Sequence, residues 1–420
     1  MSAVSPEELP RWTLVPFPAL VLAIALLPIV VPRAWERRRF QILVLAAFAV
    51  PMLVQFVASG QLHELADAAT SYASFVTTLV ALFVTSGGVL ISGDLEAKPS
   101  TNVALIVLAA TLASLIGTTG ASMLMIRPLL KTNRQREHRA HLVPFFIIAA
   151  ANAGGLLTPL GDPPLLVGYI GGVPFFWTLR LLPAWLLYVG WSALVLYWID
   201  CRAYAREPVA AITRDRAEVV PLTVRGKRNV ALILAVVPAA MLPMGIREVV
   251  MLSIAATSFA ITPRALHRDN GFSFAPIIDV ALVFAALFAC LGPIRTALAA
   301  SAPWFPFARG WQLFWAAGLL SSVLDNAPTY TVFTALARGL SRGEGLVAGV
   351  AIHKLAAISI GTVVMGATTY IGNGPNLMIK AIADRERFPV PSFFRYALFA
   401  FAVMLPAHVV TTLALAYLDH

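Results

Sequence analysis

The stretch Asn152–Val167, which reads N-A-G-G-L-L-T-P-L-G-D-P-P-L-L-V, constrains the fold more than any other. It lies inside the apolar run His141–Gly172, which is long enough to cross a bilayer as a helix. Its three prolines and three glycines exclude an uninterrupted helix, because proline removes a backbone donor and glycine weakens what remains. Asp162 adds a carboxylate near the centre, where an ionisable group usually marks an ion or substrate path. Non-helical backbone at that depth must be enclosed by protein or line a cavity, so the stretch predicts a broken helix around a binding site.

The composition is that of a membrane protein. Of 420 residues, 59% are hydrophobic and 12% are charged, whereas a soluble domain carries about 25% charged residues. The net charge of +10 comes from basic residues in short loops between apolar segments, which is typical of cytoplasmic loops, so no nucleic-acid partner is expected. Cys201 and Cys290 lie far apart and give no disulfide or metal framework. We therefore expect an all-α, multi-pass protein in a lipid bilayer, with Trp12–Val31 as a retained first span.

The apolar segments form one pattern that occurs twice: three spans, an interrupted segment, a long broken segment and a last span. The predicted segments are 12–31, 40–58, 72–92, 103–130, 142–171 and 180–199, then 229–244, 249–262, 276–298, 311–337, 345–383 and 392–418. We therefore predict a first repeat over 1–200, a basic cytoplasmic linker over 201–228 and a second repeat over 229–420. Paired Gly/Pro-interrupted segments at matching positions of two halves indicate the binding site of a secondary transporter.

The distribution of basic residues predicts that 103–130 enters and leaves the membrane on one side. Four arginines between 33 and 39 place the first loop in the cytoplasm, and the loop 60–71 has no lysine or arginine, so it is expected outside. If 103–130 crossed the membrane, the basic clusters after it would face outside. A re-entrant hairpin returns them to the cytoplasm, and 311–337 is treated likewise. Each half then crosses an odd number of times, which predicts about ten transmembrane helices in two inverted repeats.

The two hairpin tips and the two breaks supply the polar groups of the predicted site. Half-helices that end there expose free N–H and carbonyl groups, and oxygen ligands suit Na⁺. The candidate residues for ion or substrate binding are Thr118, Thr119 and Ser122 at the first tip; Asn152, Gly155, Thr158, Gly161 and Asp162 at the first break; Asp325, Asn326 and Thr329 at the second tip; and Thr368, Thr369, Asn373 and Asn376 at the second break.

Asp162 and Asp325 are the strongest candidates, and we expect Na⁺ at both. Burial disfavours the charged form of a carboxylate, so such a group can exchange a proton for a metal cation. The alternative is that each carboxylate caps the adjacent half-helix. Lys354, inside a predicted span, is a candidate counter-ion to either carboxylate or an anion contact, or else its side chain reaches the membrane interface.

These motifs resemble those of a known superfamily. The run G-G-L-L-T-P-L-G-D-P-P-L at 154–165 resembles the broken-helix signature of the ion transporter superfamily, and G-N-G-P-N at 372–376 resembles its counterpart. This superfamily includes divalent-anion sodium symporters, citrate–metal transporters, arsenite pumps and D-type bacterial sodium/proton antiporters. The resemblance covers nearly the whole chain. It implies a homodimer whose scaffold domain dimerises, with a transport domain that carries both hairpins and both broken helices in an elevator-like movement.

The substrate class stays open between two branches of that superfamily. N-A-G-G at 152–155, P-L-G-D at 159–162 and D-N-A-P at 325–328 resemble the sodium/proton antiporters. Dicarboxylate symporters carry Ser-Asn-Thr at both tips, and neither tip here does. Two buried carboxylates would also repel a dianion, so cation/proton antiport is the main expectation, with Na⁺ and H⁺ transported and no cofactor or enzymatic activity. Citrate or organic-anion transport is the alternative, because the sequence also resembles bacterial proteins described as citrate transporters.

Two further functions fit less well. An intramembrane aspartyl protease would use two membrane aspartates, one in a Gly-x-Gly-Asp motif, but Pro159 stands where that motif has its first glycine. A protease would also have no reason for inverted repeats. A channel is disfavoured because two carboxylates and paired hairpins suit a closed, alternating site.

Overall fold

The computed structural model describes residues 10–35, 37–306, 308–343 and 345–419, and most of them are helical. The outer ends of the two predicted repeats, residues 1–9 and 420, lie outside the described residues. The first half contains α1 (Pro16–Val30), α2 (Pro32–Trp35), α3 (Arg38–Ala58), α4 (Leu62–Gly87), β1 (Leu90–Ser92), α5 (Pro99–Thr132), α6 (Leu142–Ala149), α7 (Pro163–Ile170) and α8 (Leu182–Tyr204). The connection holds α9 (Val209–Ala217) and β2 (Thr223–Arg225).

The second half contains α10 (Lys227–Ala240), α11 (Ile246–Ile261), α12 (Arg264–Asp269), α13 (Ala275–Ser301), α14 (Gly310–Ser321), α15 (Asn326–Gly339), β3 (Leu346–Val347), β4 (Val350–Ala351), α16 (Ile352–Met365), α17 (Gly374–Arg385) and α18 (Phe393–Leu418). The strands form two small antiparallel pairs, β1 with β2 and β3 with β4.

Seven helices of the described chain are long and apolar enough to span a bilayer, which makes this a multi-pass membrane protein. They are Arg11–Pro28, Arg38–Ala58, Leu62–Gly87, Pro99–Thr132, Phe175–Tyr204, Ala275–Trp304 and Phe393–Leu418. Six of these correspond to predicted crossings, and Pro99–Thr132 is the segment predicted to be a re-entrant hairpin. The other four predicted crossings are shorter, because α10 and α11 have only 14 and 16 residues and the two broken segments are divided into shorter helices.

Helix α5 folds back on itself at Gly117. This residue has φ 79° and ψ 151°, a conformation that glycine adopts without a steric penalty. A straight helix would separate Asn102 from Asn133 by roughly 46 Å, yet their side-chain amides donate to each other at 3.0 and 2.7 Å. The two arms are therefore antiparallel, and the turn lies directly before Thr118, the first residue of the predicted first tip.

Helices α14 and α15 are also antiparallel. Gly310, the first residue of α14, lies beside the ring of His353, while the carbonyl of Leu340, directly after α15, accepts from Lys354 Nζ at 2.9 Å. Both ends of the pair therefore lie next to the start of α16. The break between the two helices covers 322–325, slightly earlier than the predicted 324–329.

Two loop predictions were wrong. The expected external loop 60–71 is helical from Leu62, because its leucine, glutamate and alanine residues are good helix formers, although the segment as a whole has low hydropathy. The segment expected to be helical from 345 instead begins with the β3–β4 pair, whose turn contains Gly349 at φ 78°.

A buried ionic cluster holds the two ends of the α5 hairpin together. Arg136 is 4% exposed and forms ion pairs with Asp200 at 2.6 Å and Glu207 at 3.2 Å. Asn102 Nδ2 donates to Asp200 at 2.8 Å, and His141 Nε2 lies 3.0 Å from the same carboxylate. Because each buried charge has partners, the cluster fixes α5 against α8.

Most helices belong to two bodies, each with its own large hydrophobic core, and a small cluster that includes Ile116 and Ile233 joins α5 to α10 between them. The hairpin body consists of α5, α6, α8 and α14 to α18. The flanking body consists of α1, α3, α4, α10, α11 and α13. Helix α7 lies between them, since Leu165 packs into the first core and Leu166 into the second.

Candidate functional site

The first tip and the first break touch through the backbone. The N–H of Thr118 donates to the carbonyl of Gly161 at 2.8 Å. A side chain at Gly161 would not fit, because its Cβ would lie 2.1 Å from the carbonyl oxygen of Gly155. The glycines of the G-G-L-L-T-P-L-G run thus allow the chain to cross itself next to the first tip.

Hydroxyl groups hold the rest of the first break. Thr158 Oγ1 donates to the carbonyl of Ser114, and Ser114 Oγ donates to the carbonyl of Gly154 at 2.5 Å. Between these contacts, Ala153–Leu157 forms a short 3₁₀ turn. Pro163 and Pro164 then occupy the first turn of α7, where their missing N–H groups are unpaired in any helix. The prolines therefore begin the second half-helix.

Asp162 is the point at which both tips and both breaks converge. It is 1% exposed. Its Oδ1 accepts from Thr118 Oγ1 at 2.8 Å and from Asn373 Nδ2 at 3.2 Å, and its Oδ2 accepts from Asn326 Nδ2 at 2.5 Å. These partners come from the first tip, the second break and the second tip. The structure thus brings together four of the residues that the sequence singled out.

A chain of asparagines extends from this carboxylate. Asn373 Nδ2 also donates to Asn152 Oδ1 at 3.2 Å, and Asn152 Nδ2 donates to Asn376 Oδ1 at 2.8 Å. Asn376 Nδ2 in turn donates to the carbonyls of Gly366 and Thr369, both at 2.9 Å. All three asparagines are buried, and their side-chain amides link the two broken segments.

The contacts of the second break repeat those of the first. Asn373 lies 211 positions after Asp162 and, like it, directly precedes a half-helix. At the same spacing, Thr369 corresponds to Thr158, and its Oγ1 donates to the carbonyl of Ser322 at 2.5 Å. Gly372 crosses Gly366 as Gly161 crosses Gly155, although less closely, since a Cβ on Gly372 would lie 2.6 Å from the oxygen of Gly366.

A cavity of about 490 Å³ lies between this site and the flanking body. Its polar lining includes Thr118, Thr119, Asp162, Asp325 and Asn373, while α1, α4 and α13 supply apolar side chains opposite them. Among the described residues that line the cavity, none is lysine, arginine or histidine.

Asp279 lines the same cavity, and its carboxylate is paired with Arg38 at 3.1 Å. Both side chains are about half exposed, so this ion pair lies at the cavity mouth.

Asp325 differs from Asp162 in its surroundings. It is half-buried, and its Oδ1 accepts from the N–H of Ala327 at 3.4 Å, which makes it the N-cap of α15. This contact is the helix-capping role that the sequence analysis gave as the alternative to ion binding. Its position in the cavity wall still leaves it available to an ion.

The other predicted residues lie near the site without touching Asp162 directly. Thr329 Oγ1 donates to the carbonyl of Asp325 at 3.0 Å. Ser122 is buried, and in the described chain its hydroxyl has no hydrogen-bond partner. Thr368 is the last residue of the 3₁₀ turn of the second break. Lys354 lies elsewhere: its ammonium group donates to the Leu340 carbonyl and forms no ion pair with either aspartate within the described residues.

Three serines of the site were not singled out from the sequence. Ser114, Ser321 and Ser322 lie just before the two tips, and their backbone or side-chain oxygens bond to the broken segments. The available signal was a hydroxyl residue within three or four positions before each tip. The described chain has no group of three or more His, Cys, Asp or Glu side chains that could together hold a metal ion.

No curated protein matches this chain. A family model described as "Putative citrate transport" (CitMHS_2) matches residues 6–416. That match covers both halves, both tips and both breaks, and it confirms the predicted resemblance to the ion transporter superfamily. The chain therefore belongs to the family that this model, CitMHS_2, describes.

Proposed function

We propose that the protein is a secondary active transporter that binds a cation beside Asp162 and Asp325 and exchanges it for protons. The observation that carries this proposal is the charge of the cavity. Asp162 and Asp325 line it without a basic partner, and Asp279 at the mouth is paired with Arg38. No basic side chain is among the described lining residues. Such a wall attracts cations and repels free anions.

The surroundings of Asp162 support exchange at one group. Three hydrogen bonds hold its oxygens in place, so either a proton or a cation can neutralise the buried charge without rebuilding the site. Asn326 Oδ1 is buried beside it and has no partner in the described chain. An unpaired amide oxygen next to a carboxylate is a ligand set that suits a hard cation such as Na⁺.

The proposed transport cycle uses the two bodies. The contacts repeated 211 positions apart support two inverted repeats, and the folded-back α5 and α14–α15 pairs support re-entrant hairpins. We propose that the hairpin body moves past the flanking body in an elevator-like manner, because the cavity wall supplied by α1, α4 and α13 is mainly apolar. The positive-inside rule places Arg38 and the cavity mouth on the cytoplasmic side. A homodimer in a bacterial inner membrane follows from the resemblance.

Citrate transport is the second candidate, and the family match favours it. The cavity volume of about 490 Å³ lies within the roughly 300–1,000 Å³ range of small-molecule sites. Citrate carries several negative charges, and no basic side chain lines the described wall. It would therefore have to enter together with a neutralising cation, so both candidates require a cation at Asp162.

Proteolysis gains little support from the site. The aspartates of an aspartyl protease share a proton, whereas both oxygens of Asp162 accept from hydroxyl or amide donors and neither bonds to Asp325.

Purified protein in liposomes with an internal pH dye distinguishes the two transport candidates. Antiport predicts proton movement when Na⁺ or Li⁺ is added outside without citrate, and loss of that movement in Asp162→Asn. Asp279→Asn is the matched control, because Asp279 is a lining aspartate that Arg38 already neutralises. Absence of proton movement with Na⁺, Li⁺ and K⁺, together with cation-dependent uptake of labelled citrate, would reject antiport in favour of citrate transport.

A further inference from the structure

A second cavity lies at the other end of α7 from Asp162. It has a volume of about 50 Å³ and is lined by Ser71, Gly171, Arg295, Thr334 and Arg338, among others. We call it the arginine cavity. Helix α7 has eight residues and so spans about 12 Å, which separates the arginine cavity from the site at Asp162.

The two arginines of this cavity are bonded differently. Arg338 Nε donates to the carbonyl of Ala348 at 2.9 Å, and its Nη2 lies 3.5 Å from the carbonyl of Gly171, so α15, the β3–β4 pair and α7 fix its orientation. Arg295, on α13, is half-buried, and its guanidinium group has no hydrogen bond and no ion pair within the described chain. The hydroxyl of Ser71 likewise lacks a bond to any described residue.

An arrangement of this kind is unfavourable unless an anion is present. Two guanidinium groups that line one small cavity repel each other. Each guanidinium also carries five donors, and those of Arg295 are left unpaired in a partly desolvated place. The nearest acidic groups are Glu64 and Asp67 on α4, which act on Arg295 only electrostatically and not as direct ion pairs. The described side chains around the arginine cavity therefore leave the N–H donors of Arg295 without hydrogen-bond acceptors.

We propose that the arginine cavity binds the carboxylate group of a small organic anion. Guanidinium groups match carboxylates in shape and bind them with two parallel hydrogen bonds. A water molecule needs roughly 10–15 Å³ of cavity volume of this kind, so 50 Å³ accommodates a group of a few atoms such as a carboxylate but not a whole citrate. Arg295 supplies the free donors, Arg338 supplies a fixed second charge, and Ser71 supplies a hydroxyl donor. The site is independent of which ion is carried at Asp162.

The test is a thermal unfolding titration of the full-length protein in detergent without acidic lipid. The probes are sodium acetate, citrate and inorganic phosphate, with sodium concentration and ionic strength kept constant by a bulky sulfonate buffer. Acetate and citrate are expected to raise the unfolding midpoint saturably. Arg295→Gln should weaken that response at least tenfold, and Arg295→Lys should weaken it less because the charge remains. Arg342→Gln is the matched control, since Arg342 is exposed just beyond α15 and outside the cavity.

Two further readouts separate this site from a structural role and from the site at Asp162. Without acetate, Arg295→Gln should unfold no earlier than the wild type, because it removes a repelling charge. If Arg295 instead stabilises the fold through its electrostatic attraction to Glu64 and Asp67, the variant would unfold at a lower temperature with or without acetate, and the proposal would be rejected. Asp162→Asn should keep the acetate response. Loss of the response in Asp162→Asn, an unchanged response in Arg295→Gln, or stabilisation by phosphate alone, as a lipid phosphate site would show, would overturn the proposal.

Discussion

Replacing Gly161 with alanine inserts a methyl group where the first broken segment crosses itself. The new Cβ would lie 2.1 Å from the carbonyl oxygen of Gly155 and 2.8 Å from its carbonyl carbon, whereas ordinary contact begins at 3.4 Å. Overpacking typically costs about 1–3 kcal/mol. We expect about 3 kcal/mol here, because the obstacle is backbone and cannot rotate away.

The same displacement would move the tip. The carbonyl of Gly161 accepts from the N–H of Thr118, so a shifted backbone carries Thr118 away from Asp162. We therefore expect Gly161→Ala to lower the thermal unfolding midpoint in detergent and to reduce cation-driven flux in liposomes at least tenfold, which corresponds to about 1.4 kcal/mol.

Gly190→Ala is the matched control for this prediction. Gly190 lies in the middle of α8, is exposed, does not line the cavity, and a Cβ there would meet no heavy atom within 4 Å. Alanine also favours a helix over glycine by about 1 kcal/mol, so this variant should be at least as stable as the wild type and equally active. If Gly161→Ala behaves like Gly190→Ala, the close crossing at the break does not support the site.

Three further predictions follow from individual contacts. Thr118→Val removes a hydrogen bond to a buried carboxylate, a loss of about 1.5–3 kcal/mol, so the apparent sodium affinity of transport should fall about tenfold or more, while the serine variant at this position should retain it. Asp200→Asn leaves a buried arginine short of a carboxylate and should cost about 3 kcal/mol of stability, whereas Glu218→Gln breaks an exposed pair and should cost less than about 1 kcal/mol, as thermal unfolding would show. The hydrogen-bonded Lys98 ammonium holds the pKa of Glu96 below its ordinary value of 4.5, so the stability from this pair is present above pH 4.5 and is lost as pH falls through the lowered pKa. Glu96→Gln should therefore flatten the decline of the unfolding midpoint in acid.

Local chemistry allowed much of the site to be predicted from the sequence. The breaks were located because proline and glycine act within one or two residues of where they stand, and the half-helices do begin at Pro163 and Gly374. The fold-back of 103–130 was inferred from basic residues in the flanking loops. The reciprocal amide pair of Asn102 and Asn133 shows that the two arms meet.

Long-range pairing was beyond reach. Asn326 bonds to Asp162 across 164 positions, and no periodicity within either segment encodes that contact. The role of Ser114 depends on which carbonyl lies opposite it after folding. Position along a helix also cannot show the direction of a long side chain, which is why the sequence leaves Lys354 open between a counter-ion, an anion contact and a side chain at the interface. In the structure it bonds to the carbonyl of Leu340.

Binding of radioactive ²²Na⁺ to the purified protein, with and without citrate, tests the central claim most directly. We predict saturable binding at pH 8 that weakens as protons compete at lower pH, is abolished in Asp162→Asn and is retained in Asp279→Asn. If citrate is the substrate, the same dependence on Asp162 should hold when citrate is present. Sodium binding in Asp162→Asn equal to that of the wild type, under both conditions, would contradict the assignment of Asp162 as the cation site.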